Sequence, residues 1–218
     1  MSEIILPKLG KFARSGGGLI VPEQKKYERV LLFGSLGGGK STTAEKLSAI
    51  TGYPLIHGDM YRFSDKHILQ PFSSLGDTLD NFLACNKQWV VDYSTLLING
   101  TPLFRKLVNK ADLILFFDYS RKASINGLIN RLSGFKQGKR LVGIHNSPAY
   151  ARNSDDEVNK VNAYLDLFYT QKPELLKETF KSPAEVRTVC SYAEADSVID
   201  EFEQAFGVDA AKTLLCRL

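Results

Sequence analysis

A chain of 218 residues that is 44% hydrophobic and 24% charged can close one sizeable core, and its composition is not that of a disordered, fibrous or disulfide-built protein. Its formal charge of +4 suits an anionic small molecule but is too weak to argue for nucleic acid. No apolar stretch approaches bilayer-spanning length, and Met1-Ser2-Glu3-Ile4-Ile5-Leu6-Pro7 lacks the basic start and long apolar run of a secretory signal. Cys85, Cys190 and Cys216 are odd in number and widely spaced, so they read as reduced thiols, and a cytoplasmic location is expected.

Taken in order, residues 1–28 form a leader with Gly16-Gly17-Gly18 and Pro22. It has no clear periodicity and suits either a loosely held arm or a short edge strand. Arg29 to Phe33 is an apolar run that predicts a buried strand. After a glycine-rich turn, Ala44, Leu47 and Ile50 place a helix over 42–51. Pro54 to His57 predicts a second strand, ending at Gly58-Asp59. Leu75, Leu79, Phe82 and Leu83 predict a helix over 74–85. Gln88 to Val91 predicts a third strand, ending at Asp92, with Trp89 read as core. Pro102 to Lys110 suits a short helix with proline in its first turn.

Leu113 to Phe117 is the strongest strand signal and ends at Asp118. Ile125, Leu128, Ile129 and Leu132 share one helical face, as do Val158, Val161, Leu165 and Phe168, a pattern that Pro173 is expected to break or kink. Glu185 to Cys190 is the last strand candidate. Ala195, Val198, Ile199, Phe202 and Phe206 mark a closing amphipathic helix. Continuous apolar strands separated by amphipathic helices imply an α/β fold, about five parallel strands covered on both faces. The expected organisation is a leader over 1–28, one domain over 29–206 with a lid at about 132–155, and an extension over 207–218.

The turn itself, Gly34-Ser35-Leu36-Gly37-Gly38-Gly39-Lys40-Ser41, fits G-x-x-x-x-G-K-[ST] without a mismatch and stands between a strand and a helix. A loop of backbone N–H groups opening onto a helix N-terminus cradles tetrahedral anions. Residues 34–42, Thr42 included, are thus the candidate phosphate-binding loop. Glycines allow the close approach that a Cβ would block. In this loop Lys40 would neutralise the β and γ oxygens of a nucleoside triphosphate, and the Ser41 hydroxyl would ligate Mg²⁺.

In such sheets ligands bind at the carboxyl ends of the strands, and three strands here end in a carboxylate. Asp92 is the candidate for holding a Mg²⁺-bound water beside Ser41. Asp59 could orient a phosphoryl acceptor or a second metal water. Asp118 reads equally as a functional group or as a cap on the helix starting near Ser120. Phosphoryl transfer also needs positive charge around crowded oxygens. Arg131, Lys136, Lys139, Arg140 and Arg152 lie in a stretch free of acidic residues and punctuated by Gly134, Gly138, Gly143 and Pro148, which suits a lid. Arg121 and Arg131, on the helix after the fourth strand, could reach the nucleotide, while Arg62 and Arg105 are acceptor-side candidates. His57 reads as a strand residue, and His67 and His145 show no ligand spacing.

The series GSLGGGKST at 34–42, YPLIHGD at 53–59, QWVVDYS at 88–94, RKLVNKADLILFFDYSR at 105–121 and Arg131 resembles the adenylate kinase-like P-loop kinases. Within them it is closest to the DNA topology modulation and adenylate kinase-related group. The resemblance spans roughly residues 29–205. It implies strand order 2-3-1-4-5, Asp92 as the strand-three carboxylate, a lid beginning near Arg131, and ATP as the nucleotide. An N-K-x-D signature for guanine is absent. Two features depart from the group. Tyr93 follows Asp92 where many relatives have glycine, and the lid stretch is poorer in arginine than in true nucleotide kinases.

The function expected is an ATP- and Mg²⁺-dependent transfer of a phosphoryl group to a small acceptor, a nucleoside, nucleotide or related metabolite. The alternatives are an NTPase that uses water, and a nucleotide-binding regulator acting on DNA or a protein partner.

Overall fold

The computed structural model describes residues 26–61, 72–93, 102–136 and 154–207. Five strands form one parallel sheet: β1 Arg29–Gly34, β2 Leu55–His57, β3 Trp89–Asp92, β4 Leu113–Phe117 and β5 Glu185–Val189. Their order is β2-β3-β1-β4-β5, the order that the resemblance implied. β3 and β4 are buried along their whole length, as is β1 apart from Arg29, because helices cover both faces. The edge strand β5 instead carries Glu185 and Arg187 and is only partly covered.

Alternation along the strands sorts the core into two layers. Val30, Leu32, Val90, Leu113, Leu115 and Phe117 face α1, Lys40–Thr51, and α6, Tyr192–Phe206. Leu31, Phe33, Val91, Ile114 and Phe116 face α2 Phe72–Cys85, α3 Pro102–Lys110 and α5 Ser154–Thr179. Trp89 is buried in this second layer, as expected of a core residue. Between β4 and α5, α4 Arg121–Lys136 seats Leu128 against Leu165 and Leu36, so the glycine-rich loop rests on a small apolar floor of its own.

Three boundaries differ from the expectations. Pro173 does not break the long helix: α5 continues through it to Thr179. An interior proline costs a helix about 3 kcal/mol. Here buried Phe168 before it and buried Leu175 after it pack both halves into the core layer under the sheet. Tyr27, assigned to the leader, is buried and packs in the α1–α6 layer, stacked on Phe202 at 6.1 Å. Finally, α4 runs to Lys136 and α5 starts at Ser154, so both ends of the expected lid are helical. Its middle, with Lys139, Arg140 and Arg152, lies outside the described residues, as do Arg62, His67, His145 and Cys216. Among the described residues no helix is long and apolar enough to cross a membrane.

Candidate active site

The loop leaves β1 at Gly34 and enters α1 at Lys40, so it lies at the carboxyl edge of the central strand. It is fastened on every side. The Ser35 N–H donates to the Phe117 carbonyl at 2.7 Å, and the Ser35 hydroxyl accepts from the Tyr119 N–H at 3.2 Å. Gly37 has φ +72, and a Cβ there would stand 2.2 Å from the Ser124 carbonyl oxygen, so only glycine fits. The contact is reciprocal. A Cβ on Gly127, in the middle of α4, would stand 2.1 Å from the Gly37 carbonyl oxygen and 2.6 Å from the Tyr192 hydroxyl. That hydroxyl donates to the Gly37 carbonyl at 2.8 Å. Neither Gly127 nor Tyr192 stood out in the sequence. A glycine inside a helical pattern reads as a weak helix position, although it equally marks a close backbone approach.

Lys40 opens α1 and bends back so that its Nζ donates to the Ser35 carbonyl at 2.8 Å. Burial pushes its ammonium below the ordinary value; the charges of Asp92 and Asp59 oppose that shift, and Arg131 adds to it. Asp92, Asp59 and Arg131, picked from separate segments, are therefore each within electrostatic reach of Lys40. Asp59 sits in a single 3₁₀ turn, Gly58–Tyr61, that continues β2. Beside it Met60 and Tyr61 are exposed apolar groups.

Asp92 is 7% exposed. Burial alone would raise its pKa, but the hydrogen bond from His57, the charge of Lys40 and the Ser41 hydroxyl outweigh it and hold the carboxyl below its ordinary value. The group is thus ionised, and the His57 Nδ1–H donates to Oδ2 at 2.8 Å. The opposite ring nitrogen, Nε2, lies 3.8 Å from the Glu45 carboxylate on α1. Burial alone would lower the His57 pKa, yet Asp92, Glu45 and Asp59 together raise it. The register of β2 against β3 pairs His57 with Asp92 directly, and both face α1. Sequence reading had His57 as an ordinary strand residue and missed this contact, which needs the pairing register to be known.

Other candidates stand elsewhere. Arg121 pairs with Asp166 on α5, lies 3.4 Å from Asn162 and covers the Tyr169 ring at 5.6 Å. Arg105 bridges α3 to Glu178 at 2.9 Å. Asp118 accepts from Lys172 at 2.5 Å, while the start of α4 is capped by Ser120, whose hydroxyl accepts from the Ala123 N–H at 3.3 Å. Asp118 is therefore not that cap.

The site suits a magnesium nucleotide. The Ser41 hydroxyl and the Asp92 carboxylate are neighbouring hard oxygen donors, the type Mg²⁺ takes. No group of three or more His, Cys, Asp or Glu able to hold a metal occurs among the described residues. A magnesium ion here would draw its other ligands from phosphate and water.

Sheet order and loop together define a P-loop NTPase-type α/β fold. No family model matches the sequence, and no curated protein does. Among solved structures, shikimate kinase from Acinetobacter baumannii in complex with shikimate aligns at 14% identity and TM-score 0.48, over 84% of this chain and 95% of that one. A shikimate kinase from Bacteroides thetaiotaomicron aligns at 15% and 0.47, over 84% and 100%. A gluconokinase from Sinorhizobium meliloti 1021 aligns at 14% and 0.45, over 86% and 95%.

Proposed function

We propose that this chain is a magnesium-dependent kinase that moves the γ-phosphoryl group of ATP to a small acceptor, a nucleoside, nucleotide or related metabolite. The observation that carries the reading is the set of groups around Lys40: the Ser35 carbonyl of the glycine-rich loop, the Asp92 carboxylate with its Ser41 hydrogen bond, and the charges of Asp59 and Arg131. The narrower likeness to the adenylate kinase-related group belongs to the same proposal and is supported by the motif series and the sheet order.

In this scheme the loop amides and Lys40 hold the β- and γ-phosphates, with Thr42 beside them at the start of α1. Ser41 and Asp92 hold magnesium, which when bound offsets charge on the phosphate oxygens. Asp59 orients the acceptor hydroxyl at the end of β2, and Arg62, outside the described residues, is the expected second acceptor contact. Arg131, Arg121 and Arg140 offset the charge that builds as the phosphoryl group moves. Arg121 would leave Asp166 to do so, at little cost, because both partners of that pair are exposed. Arg105 enters acceptor binding only by giving up Glu178.

The deciding experiment is a phosphoryl-transfer screen with ATP, Mg²⁺ and a panel of nucleosides, nucleotides and polyhydroxylated metabolites. The expected result is ADP formation that rises with one acceptor class and appears as a phosphorylated product. ADP formation that no acceptor raises, with free phosphate as the product, would replace the kinase with an NTPase. No ATP binding at all would end both readings.

A further inference from the structure

Position 57 ends a strand whose inward side chains are otherwise apolar, and Leu55, two residues earlier, packs into the α1–α6 core. An aliphatic residue would complete that layer. The chain instead places a largely buried imidazole there, against the buried Asp92 carboxylate. A buried polar pair of this kind costs desolvation on both sides and persists where its geometry is fully used.

We propose that His57 is a positioning residue for Asp92. It commits Oδ2 to the imidazole, fixes the rotation of the carboxylate and leaves its remaining acceptor capacity to the Ser41 side, where magnesium would bind. This inference rests on the nucleotide-binding reading above.

Two observations support the assignment. Asp92 has three neighbours that favour its charge: His57, Lys40 and Ser41. Of these, Lys40 and Ser41 are the groups that a magnesium triphosphate recruits for itself. Once they turn to the ligand, His57 is the donor that stays with the carboxylate. The second observation is that the far edge of the imidazole faces an acidic residue of α1. Its Nε2 edge faces Glu45 at 3.8 Å, one turn into the helix that starts with Lys40 and Ser41. The imidazole thus lies between the Asp92 carboxylate and the helix that begins with Lys40. Metal-site carboxylates are oriented by such outer partners, and their loss lowers metal affinity by roughly 10–100-fold.

The test uses the full chain, ATP as probe, and calorimetric titrations with EDTA and with Mg²⁺, alongside the Mg²⁺ dependence of turnover. His57→Leu is expected to bind ATP in EDTA as the unaltered chain does, while its affinity for ATP with Mg²⁺ falls about 10–100-fold. The Mg²⁺ concentration for half-maximal turnover should rise more than kcat falls. His57→Asn places an amide N–H where Nδ1 stood and should recover most of the loss. His57→Gln, whose nitrogen reaches the Nε2 position instead, should not. If the leucine variant does not fold, the asparagine and glutamine variants decide the matter alone. Equal losses with and without Mg²⁺, or identical behaviour of Asn and Gln, overturn the assignment and make His57 a packing residue. Failure of the unaltered chain to bind ATP in either condition overturns the nucleotide reading instead.

Discussion

Asp92 and Asp118 end the two strands that flank β1, yet they serve opposite halves of the molecule. Asp92 shares the parity of Val90, faces α1 and meets Ser41, Lys40 and His57. Asp118 shares the parity of Phe116, faces α5 and is taken by Lys172. Which layer a strand-terminal carboxylate enters is a matter of counting residues by twos, and that count separates the carboxylate beside Ser41 and Lys40 from the one taken by Lys172. A carboxylate at the end of a strand is thus only half a signal. The other half is which helix covers that face.

The widest predicted gap is between the two isosteric changes. Asp92→Asn should reduce phosphoryl transfer on the order of 10²–10³-fold, as removal of a fixed charge at a reacting phosphate does. Asp118→Asn should leave turnover within about twofold of the unaltered chain, since the residue is outside the proposed site. Steady-state rates of both variants check this, and a reversed order would break the comparison.

Next comes the loop's own seat. Gly127→Val should destabilise the fold by about 1–3 kcal/mol through overpacking and weaken ATP binding, because the added carbons press on the Gly37 carbonyl. Gly76→Ala in α2 is the control. A Cβ there meets nothing within 4 Å, so the change should stabilise by about 0.5–1 kcal/mol. Urea midpoints of the two variants should move in opposite directions.

Smaller again is Lys172→Met, which removes the partner of Asp118 and should cost about 1 kcal/mol in a urea titration without altering turnover.

A last effect shows only at alkaline pH, far from both carboxylates. Burial and the hydrogen bond to Glu185, opposed by Arg187, push the Tyr27 phenol from 10.0 up to about 12. The fold therefore favours its protonated form. That contribution is complete below pH 10 and is lost as pH climbs through about 12. Tyr27→Phe should flatten the fall in stability over this window, and thermal melts at stepped pH would show it.

Much of this was legible beforehand. The five strands, their flanking helices and the loop follow from apolar runs, period and an eight-residue motif, because local chemistry dictates each of them. What escaped depends on partners distant in sequence. His57 matters because β2 is registered against β3, and Gly127 because α4 lies on Gly37. Arg121 is drawn aside by Asp166, and Lys172 reaches Asp118 across 54 positions. Periodicity reports which face of an element is apolar but not which neighbour that face will meet. Pro173 shows the converse. A local breaking rule was overridden by burial of the turns on either side.

The hydroxyl of Tyr192 on the Gly37 carbonyl carries a consequence for how the protein comes into being. The glycine-rich loop, the proposed phosphate-binding element, leaves the ribosome 155 positions before the residue that latches it. During translation the emerging loop has its full set of amides but not the brace that sets their direction. On the proposed function, competence to capture a nucleotide would thus come only once α6 has folded back over the loop, and a bound nucleotide would in turn favour that closure.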